Sequence, residues 1–329
     1  MKYTNLGKTD IKVSKVCLGC MSFGKEGTMY DWALNEDDTT KIIGHAIDCG
    51  INFFDTANQY SYGTSEEYLG NALRRLGVKR EDVVIASKVF YNKGALSKEA
   101  ILKEIDGTLS RLGTDYVDLY IMHRFDYTTP IEETMETLNS LVEKGKVRAL
   151  GASSMFGYQF YNFQMLAKEH NWARLEVMEN HYNLLYREDE REMIPICKQM
   201  DVSLIPYSPL AAGHLTRDKW DGDSLRSAND NVADRRYNTT RDNDMKIVKR
   251  VKELSIKKNC SMSQIAMAWE YAKKIDAPII GATKEKYIDD AIASLDIELN
   301  DDEVRYLEKE YVPHPLKGPL INTEFSIPQ

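Results

Sequence analysis

Short apolar runs rich in β-branched residues alternate along the chain with longer stretches in which apolar residues recur at helical spacing. This alternation is typical of βα units around a parallel sheet, because a strand covered on both faces is apolar throughout. Strands are predicted at residues 16–18, 51–54, 83–86, 117–122, 147–151, 176–178, 203–206 and 278–280. Eight βα units close a barrel, so residues 1–329 are predicted to form one α/β domain, a (β/α)8 TIM barrel.

Helices are predicted at residues 39–48, 65–76, 97–112, 131–143, 158–169, 191–200, 242–258, 263–271 and 287–294. Ser97 is predicted to cap one of them and Thr64 or Ser65 another, since a hydroxyl can accept the first free backbone N–H groups. Residues 3–6 and 11–14 flank a Gly-Lys-Thr-Asp turn and are predicted to form a hairpin that covers the bottom of the barrel.

Two polar segments have no predicted regular structure. Residues 213–240 follow the seventh barrel strand and are predicted to form a long functional loop, because structureless loops of that length are uncommon in compact domains. The alternative is a surface insertion without a function. The proline-rich residues from Pro313 onward are predicted to form an extended tail.

Composition restricts the class of protein. A chain of 329 residues with 43% hydrophobic residues can bury a large core. Its net charge of −8 argues against a nucleic-acid partner or an anionic membrane. The N-terminus lacks the apolar core of a signal peptide, and no run of about 20 apolar residues could span a membrane. We therefore expect a cytoplasmic enzyme or binding protein.

The cysteines agree with a reducing compartment. There are five, an odd number, and Cys17 and Cys20 are spaced as C-x-x-C. No second pair follows them, and they lie on a predicted strand rather than in a redox loop. A place in the core or beside a cofactor is therefore favoured over a redox or zinc motif, and no metal site is expected.

Four chemically active side chains stand where predicted barrel strands end. Asp55 follows the second strand, Lys88 the third and His123 the fourth, with Tyr60 five residues beyond Asp55. Catalytic side chains of α/β barrels lie at these carboxyl ends. A phenol has a pKa of about 10, which a nearby ammonium lowers, and a buried lysine needs a counter-ion such as Asp55.

These four residues are therefore predicted to form a relay in which Tyr60 is a general acid–base and His123 orients a carbonyl oxygen. Each residue alone has an ordinary structural interpretation. Lys88 could simply pair with Asp55, and His123 could be a satisfied polar residue near the core. Their occurrence together on three successive strands favours the functional interpretation.

Three segments of the chain closely resemble the aldo-keto reductase family. They are residues 52–70, with Asn-Phe-Phe-Asp-Thr-Ala, Tyr60, Gly-Thr-Ser-Glu and Leu-Gly, then residues 18–24, and then residues 86–88. The resemblance extends over residues 6–299. It implies a nicotinamide-dependent oxidoreductase that reduces aldehydes or ketones to alcohols by hydride transfer, with Asp55, Tyr60, Lys88 and His123 as the catalytic tetrad.

The resemblance also implies a dinucleotide lying extended across the barrel mouth, with NADPH preferred to NADH. The residues expected to contact it are Gly19, Cys20, Met21, Asp55, Ser153, Ser154, Glu179, Tyr207, Ser208, Pro209, Leu210, Ala211, Gly213, Leu215, Arg226, Gly281, Thr283, Lys284, Tyr287 and Asp290. Of these, Ser153, Ser154 and Glu179 would hold the carboxamide and Tyr207 would stack on the ring. Arg226 would contact a phosphate, and residues 281–284 would hold the adenosine 2′-phosphate, with Lys284, Lys286 and Arg226 as candidate cations.

Glu179 is the clearest departure from the family, which usually has glutamine at this position. An ionised carboxylate accepts hydrogen bonds but donates none, and it would place negative charge near the nicotinamide. We therefore expect altered cofactor affinity or redox direction. The alternative is a glutamate that turns to solvent. Tyr287 and Ala291 likewise stand where many relatives have arginine and asparagine.

Other functions remain open at this point. The β-subunits of potassium channels are similar to this family, so a cofactor-binding scaffold is one alternative, and it predicts a tetramer where a free enzyme would usually be a monomer. Another barrel enzyme, such as a lyase, would leave the four strand-end residues unexplained. Trp32 and Phe90, with Tyr30 and Trp220, are expected to line an apolar mouth suited to aromatic or medium aliphatic carbonyl substrates.

Overall fold

The computed structural model describes residues 1–29, 31–220 and 236–316, with the side chain of Asn238 left aside. Tyr30 and Arg226, which the sequence places at the mouth, lie outside these residues, as do the centre of the loop after the seventh barrel strand and the end of the tail. The strands are β1 (Tyr3–Asn5), β2 (Lys12–Ser14), β3 (Cys17–Gly19), β4 (Phe53–Asp55), β5 (Val84–Val89), β6 (Val117–Met122), β7 (Val147–Ser153), β8 (Leu175–Glu179), β9 (Ser203–Leu204) and β10 (Ile279–Gly281).

Eight of these strands form one parallel sheet in the order β10-β3-β4-β5-β6-β7-β8-β9. The two outer strands meet, because Tyr207 forms a parallel bridge with Ile279 and the amide of Ile279 donates to the carbonyl of Pro206 at 2.9 Å. The sheet therefore curls into the predicted (β/α)8 barrel, and all eight predicted barrel strands are confirmed.

The helices cover the outside of this sheet. Within the described residues they are α1 (Glu36–Asp48), α2 (Thr64–Arg75), α3 (Lys98–Leu112), α4 (Ile131–Glu143), α5 (Gly157–His170), α6 (Met193–Gln199), α7 (Arg241–Lys258), α8 (Met262–Ala272), α9 (Glu285–Ala293) and α10 (Asp301–Glu308). Nine correspond to predicted helices. The tenth, α10, was not predicted, although Asn300 and Glu303 form a capping box at its start.

One of the two predicted helix caps is confirmed and the other is wrong. Ser97 does cap α3, since its hydroxyl accepts from the amide of Ala100 at 3.4 Å. The cap predicted for α2 is wrong, because Gly63 occupies the N-cap with φ +91° and no side chain accepts there. The hydroxyl of Thr64 instead donates to the carbonyl of Ser61 at 2.7 Å, which stabilises the turn before the helix.

The N-terminal hairpin closes the bottom of the barrel, as predicted. Strands β1 and β2 pair antiparallel, and the apolar side chains of Leu6, Ile11 and Val13 join the same buried cluster as the residues inside the barrel. The backbone of the turn is fixed as well. The amide of Gly7 donates to the hydroxyl of Ser203 at 2.8 Å, and the next amide donates to the carboxylate of Glu176 at 2.9 Å.

The five cysteines are free thiols, and Cys17 and Cys20 are fully buried. This agrees with the predicted place in the core or beside a cofactor. Among the helices of the described residues, none is long and apolar enough to cross a membrane. The segment 313–316 has no regular structure, yet His314 is buried and its amide donates to Glu188 at 2.8 Å, so the start of the tail is held against the barrel.

Candidate active site

The structure brings the four predicted catalytic residues together at the carboxyl ends of three adjacent strands. Asp55 is the last residue of β4, Lys88 lies near the end of β5, and His123 follows β6 directly. Tyr60 stands at the start of a short 3-10 turn after β4, in which Ser61 and Tyr62 have φ values of +46° and +55°. Non-glycine residues in this left-handed region store strain, so the turn that presents Tyr60 is held there by its surroundings.

Lys88 is the centre of the cluster. Its Nζ donates to both carboxylate oxygens of Asp55, at 2.5 and 2.7 Å, and to the carbonyl of Thr56 at 3.0 Å. It also lies 3.2 Å from the hydroxyl of Tyr60. Lys88 is fully buried, so the ammonium is fixed by its acceptors rather than by water. The predicted contact of Lys88 with both Asp55 and Tyr60 is present.

The ammonium charge of Lys88 is maintained despite burial. Burial opposes a charged lysine, but the neighbouring carboxyl groups of Asp55 and Glu179 outweigh it and raise the pKa of Lys88 well above its ordinary value. Burial also raises the pKa of Asp55, and the contact with Lys88 limits that rise. A charge-assisted hydrogen bond of this kind fixes the position of Lys88 beneath Tyr60.

The acidity of Tyr60 differs from the expectation that its pKa is lowered. Burial raises it, Lys88 lowers it, and the carboxyl groups of Asp55 and Glu179 raise it again, so the net shift is upward. The tyrosine is only half-buried, whereas Lys88 beneath it is completely enclosed. Tyr60 therefore keeps its proton at neutral pH, and the effect of Lys88 is to limit the cost of forming the phenolate.

His123 is a neutral imidazole. Burial lowers its pKa well below the ordinary value, and the cations Lys88 and Arg124 lower it further. Its ring packs edge-on against Tyr60, with 5.9 Å between the ring centroids, and its Nδ1 has no hydrogen-bond partner in the described part of the chain. A neutral histidine beside a phenol can bind a carbonyl oxygen without repelling Lys88.

Glu179 does not turn to solvent, so that alternative is wrong. Its side chain is buried at the end of β8, and its Oε1 lies 3.4 Å from Nζ of Lys88. Burial, and then the charge of Asp55, raise its pKa well above the ordinary value. The expectation of an ionised carboxylate is therefore corrected, because a buried acid beside another acid favours its protonated form.

The other residues predicted to hold the carboxamide form a polar group at the ends of β7 and β8. The hydroxyls of Ser153 and Ser154 lie 3.2 Å apart, and that of Ser154 lies 3.3 Å from the hydroxyl of Tyr207. The amide of Ser154 donates to Oδ1 of Asn180 at 2.8 Å, which supports a left-handed backbone with φ +49° at Ser154. Asn180 thus positions this wall.

Three further residues beside the site were missed by sequence reasoning. His181 stacks behind Tyr207 with ring centroids 5.4 Å apart and an interplanar angle of 6°. The guanidinium of Arg236 lies 5.3 Å from the centroid of the same ring. Tyr91 packs against His123 at 5.0 Å and against Phe90 at 5.1 Å. His181 and Tyr91 are each the second residue after the end of a barrel strand, and this position in the sequence could have indicated that they lie beside the site.

The remaining predicted contacts surround the mouth. Gly19 ends β3, and Cys20 and Met21 follow it; the amide of Cys20 donates to the carbonyl of Asp55 at 2.7 Å. The residues that follow β9 include the buried Pro209, Ala211 and Leu215 and the partly exposed Ser208, Leu210 and Gly213.

Residues 281–290 extend from the last residue of β10 into the first part of α9. Lys284 is the exposed N-cap of that helix, and Tyr287 is 45% exposed. Asp290 lies further along α9, where its carboxylate accepts from the side-chain amide of Gln264 at 3.1 Å. Gly281 is the last residue of the strand and Thr283 lies between the strand and the helix. This segment presents two lysines, Lys284 and Lys286, and a helix N-terminus to solvent.

The predicted substrate side is aromatic. Phe90 is partly buried and forms a chain of edge contacts through Tyr91 to His123. Trp32 is also partly buried, in the segment between β3 and α1. Trp220 packs on His214, with 3.9 Å between ring centroids, in the loop after β9.

Comparisons with known proteins identify the family of this chain. The sequence profile of the Aldo/keto reductase family matches residues 15–311. The chain is 41% identical to an aldo-keto reductase of Fusarium vanettenii, over 96% of this chain and 92% of that protein. It is 40% identical to versiconal hemiacetal acetate reductase of Aspergillus parasiticus, over 96% of this chain and 99% of that protein.

A solved structure shares the fold. It is a thermostable aldo-keto reductase in complex with the inhibitor epalrestat, 25% identical in sequence, and the match covers 94% of this chain and 100% of the other with a TM-score of 0.78. The family profile and the two relatives each extend over most of the sequence. This oxidoreductase chain therefore belongs to the aldo/keto reductase family.

Proposed function

We propose that the protein reduces aldehydes or ketones to alcohols with NADPH as hydride donor and Tyr60 as proton donor. The observation that carries the proposal is the position of the Tyr60 hydroxyl, 3.2 Å from a lysine that is itself held by Asp55. The ring of His123 packs edge-on against the same phenol, with 5.9 Å between centroids. A carbonyl oxygen between Tyr60 and His123 would meet two neutral hydrogen-bond donors.

The polar groups at the mouth fit the carboxamide of a nicotinamide. Oε2 of Glu179 has no hydrogen-bond partner among the described residues, and the hydroxyls of Ser153 and Ser154 contact each other and Tyr207. A carboxamide needs both donors and acceptors, and hydroxyl groups supply both. The partly exposed ring of Tyr207, backed by His181, offers a flat surface for the nicotinamide.

Proton transfer follows from the state of these side chains. The bound reduced nicotinamide would supply the hydride. Tyr60 holds its proton at neutral pH, and His123 orients the carbonyl as a neutral imidazole. As the proton leaves Tyr60, the ammonium of Lys88 stabilises the phenolate through the 3.2 Å contact. Asp55 keeps Lys88 in place throughout, since it binds the same Nζ with both oxygens.

A preference for NADPH rests on the segment after β10. Lys284 is exposed at the N-terminus of α9, where a helix favours an anion. Arg226 is proposed as a second phosphate contact. For the carbonyl substrate, the aromatic chain from Phe90 through Tyr91 to His123 favours aromatic or medium aliphatic compounds. Steady-state turnover of an aldehyde panel with both cofactors measures these two preferences.

The decisive variant is Tyr60→Phe, which removes the proton donor and keeps the ring. Because general acid catalysis contributes about 10²–10⁴-fold, turnover should fall by about that factor. Cofactor binding, measured by fluorescence titration, should stay close to wild type. Tyr62→Phe is the matched control, since Tyr62 is in the same turn but is 73% exposed. Turnover of Tyr60→Phe near the wild-type value would contradict the proposed proton donor.

A further inference from the structure

Three ionisable groups meet at the bottom of the site, and their charges do not balance. One ammonium, Lys88, lies between two carboxyl groups, those of Asp55 and Glu179, and all three side chains are buried. If both carboxyl groups were ionised, the cluster would hold an uncompensated negative charge away from water. Burying such a charge is costly, so one of the two acids takes a proton instead.

The contacts identify which acid holds it. Asp55 receives two hydrogen bonds from Nζ of Lys88, at 2.5 and 2.7 Å, which stabilise its ionised form. Glu179 approaches the same nitrogen only to 3.4 Å, and its Oε2 meets no hydrogen-bond partner within the described residues. The other titratable groups facing Glu179 are Tyr60 and the thiol of Cys17, and both stay protonated at neutral pH.

We infer that Glu179 carries a proton in the cofactor-free protein and releases it when the oxidised, cationic nicotinamide binds, but keeps it when the reduced form binds. The inference rests on the proposed nicotinamide site. As a carboxylic acid, Glu179 both donates and accepts, as a carboxamide partner requires. When a positive ring arrives, the O–H bond of Glu179 breaks, the proton goes to solvent, and the remaining carboxylate balances the charge of the ring.

The first consequence is a difference in proton release between the two cofactor forms. Isothermal titration calorimetry in buffers of different ionisation enthalpy counts the protons released on binding. In wild type, the oxidised form should release about one proton more than the reduced form over the range in which Glu179 is protonated. The adenosine 2′-phosphate titrates in both forms, so the difference between the forms is the quantity to compare.

Two variants make the assignment specific. Glu179→Gln cannot release a proton, so the difference between cofactor forms should disappear while both forms still bind. Glu270→Gln is the matched control, since Glu270 is a fully buried carboxyl in α8, its pKa is raised by burial, and it is outside the site. It should leave the difference unchanged. A difference that survives in Glu179→Gln, or is absent from wild type, would overturn the inference.

Infrared spectroscopy provides a second measurement that needs no variant and no turnover. A protonated carboxyl group gives a C=O stretch that shifts in D2O, and binding of the oxidised cofactor should remove one such band while the reduced cofactor leaves it. Persistence of every acid band after oxidised cofactor binds would overturn the inference. If wild type bound neither cofactor form, the proposed function and the linked release would both fail. If both forms bound with the expected proton difference but no carbonyl turned over, only the proposed function would fail.

Discussion

Replacing Lys88 with methionine tests whether the buried cluster is held together by charge. Methionine fills a similar volume but leaves Asp55 and Glu179 without a cation. Asp55 also loses the two hydrogen bonds that it accepts from Lys88. Removing one partner of a buried ion pair costs about 3–5 kcal/mol. Unfolding entropy of about 2.1 cal/mol/K per residue, over 329 residues, converts that cost into a fall in Tm of about 4–7 °C.

The loss should depend on pH. Without Lys88, the folded chain must keep both carboxyl groups protonated, whereas the unfolded chain releases both protons above about pH 4. The folded state then binds more protons than the unfolded state, so its stability falls as pH rises. The difference in Tm from wild type should therefore be larger at about pH 8 than at about pH 5.

Differential scanning calorimetry of three variants checks this reasoning. Asp55→Asn combined with Lys88→Met removes one of the stranded acids, so the double variant should recover part of the lost Tm. Asp55→Asn alone should cost less than Lys88→Met, since Glu179, at 3.4 Å from Lys88, can then lose its proton and become the counter-ion. A Lys88→Met variant as stable as wild type at both pH values would refute a buried, charge-balanced cluster.

Two further predictions concern the mouth. Burial and Lys88 hold the pKa of His123 well below its ordinary range. The pH profile of kcat/KM for reduction should therefore show no step attributable to His123 between about pH 6 and 8. A step in wild type that disappears in His123→Gln would contradict the neutral state of His123. Arg226→Ala combined with Lys284→Ala should lower the preference for NADPH over NADH, measured as the ratio of the two kcat/KM values. The control Lys168→Ala, at an exposed lysine, should leave that ratio unchanged. An unchanged ratio in the double variant would place the phosphate elsewhere.

The barrel was predictable because its strands are unusually simple in sequence. Both faces of a strand such as β6 are buried, so all six of its residues are shielded and all but Asp118 are apolar or aromatic. Helix α10 lacked such a pattern, since its eight residues are mostly charged and only Leu307 is an apolar residue buried on it. Its capping box was readable, but no apolar stripe accompanied it.

The site was predictable as a set of strand ends and less so as electrostatics. The rule that barrel side chains act at carboxyl ends was enough to select Asp55, Lys88 and His123. The net pKa of Tyr60 depends on how far one ammonium and two carboxyl groups lie from its hydroxyl, and those distances are absent from the sequence. The protonated state of Glu179 likewise required knowing that β8 brings it to Lys88.

The hairpin that closes the barrel has a consequence for synthesis. Its turn is fixed by a hydrogen bond from Gly7 to Ser203, a separation of 196 positions along the chain, and by another from Lys8 to Glu176. The hairpin is synthesised before β8 and β9, so it must wait for both strands before it can dock. Until then the buried cluster that contains Leu6, Ile11 and Val13 lacks Val177 and Ile205. Nascent chains halted before β9 should therefore expose this segment to protease, and chains extended beyond it should protect it.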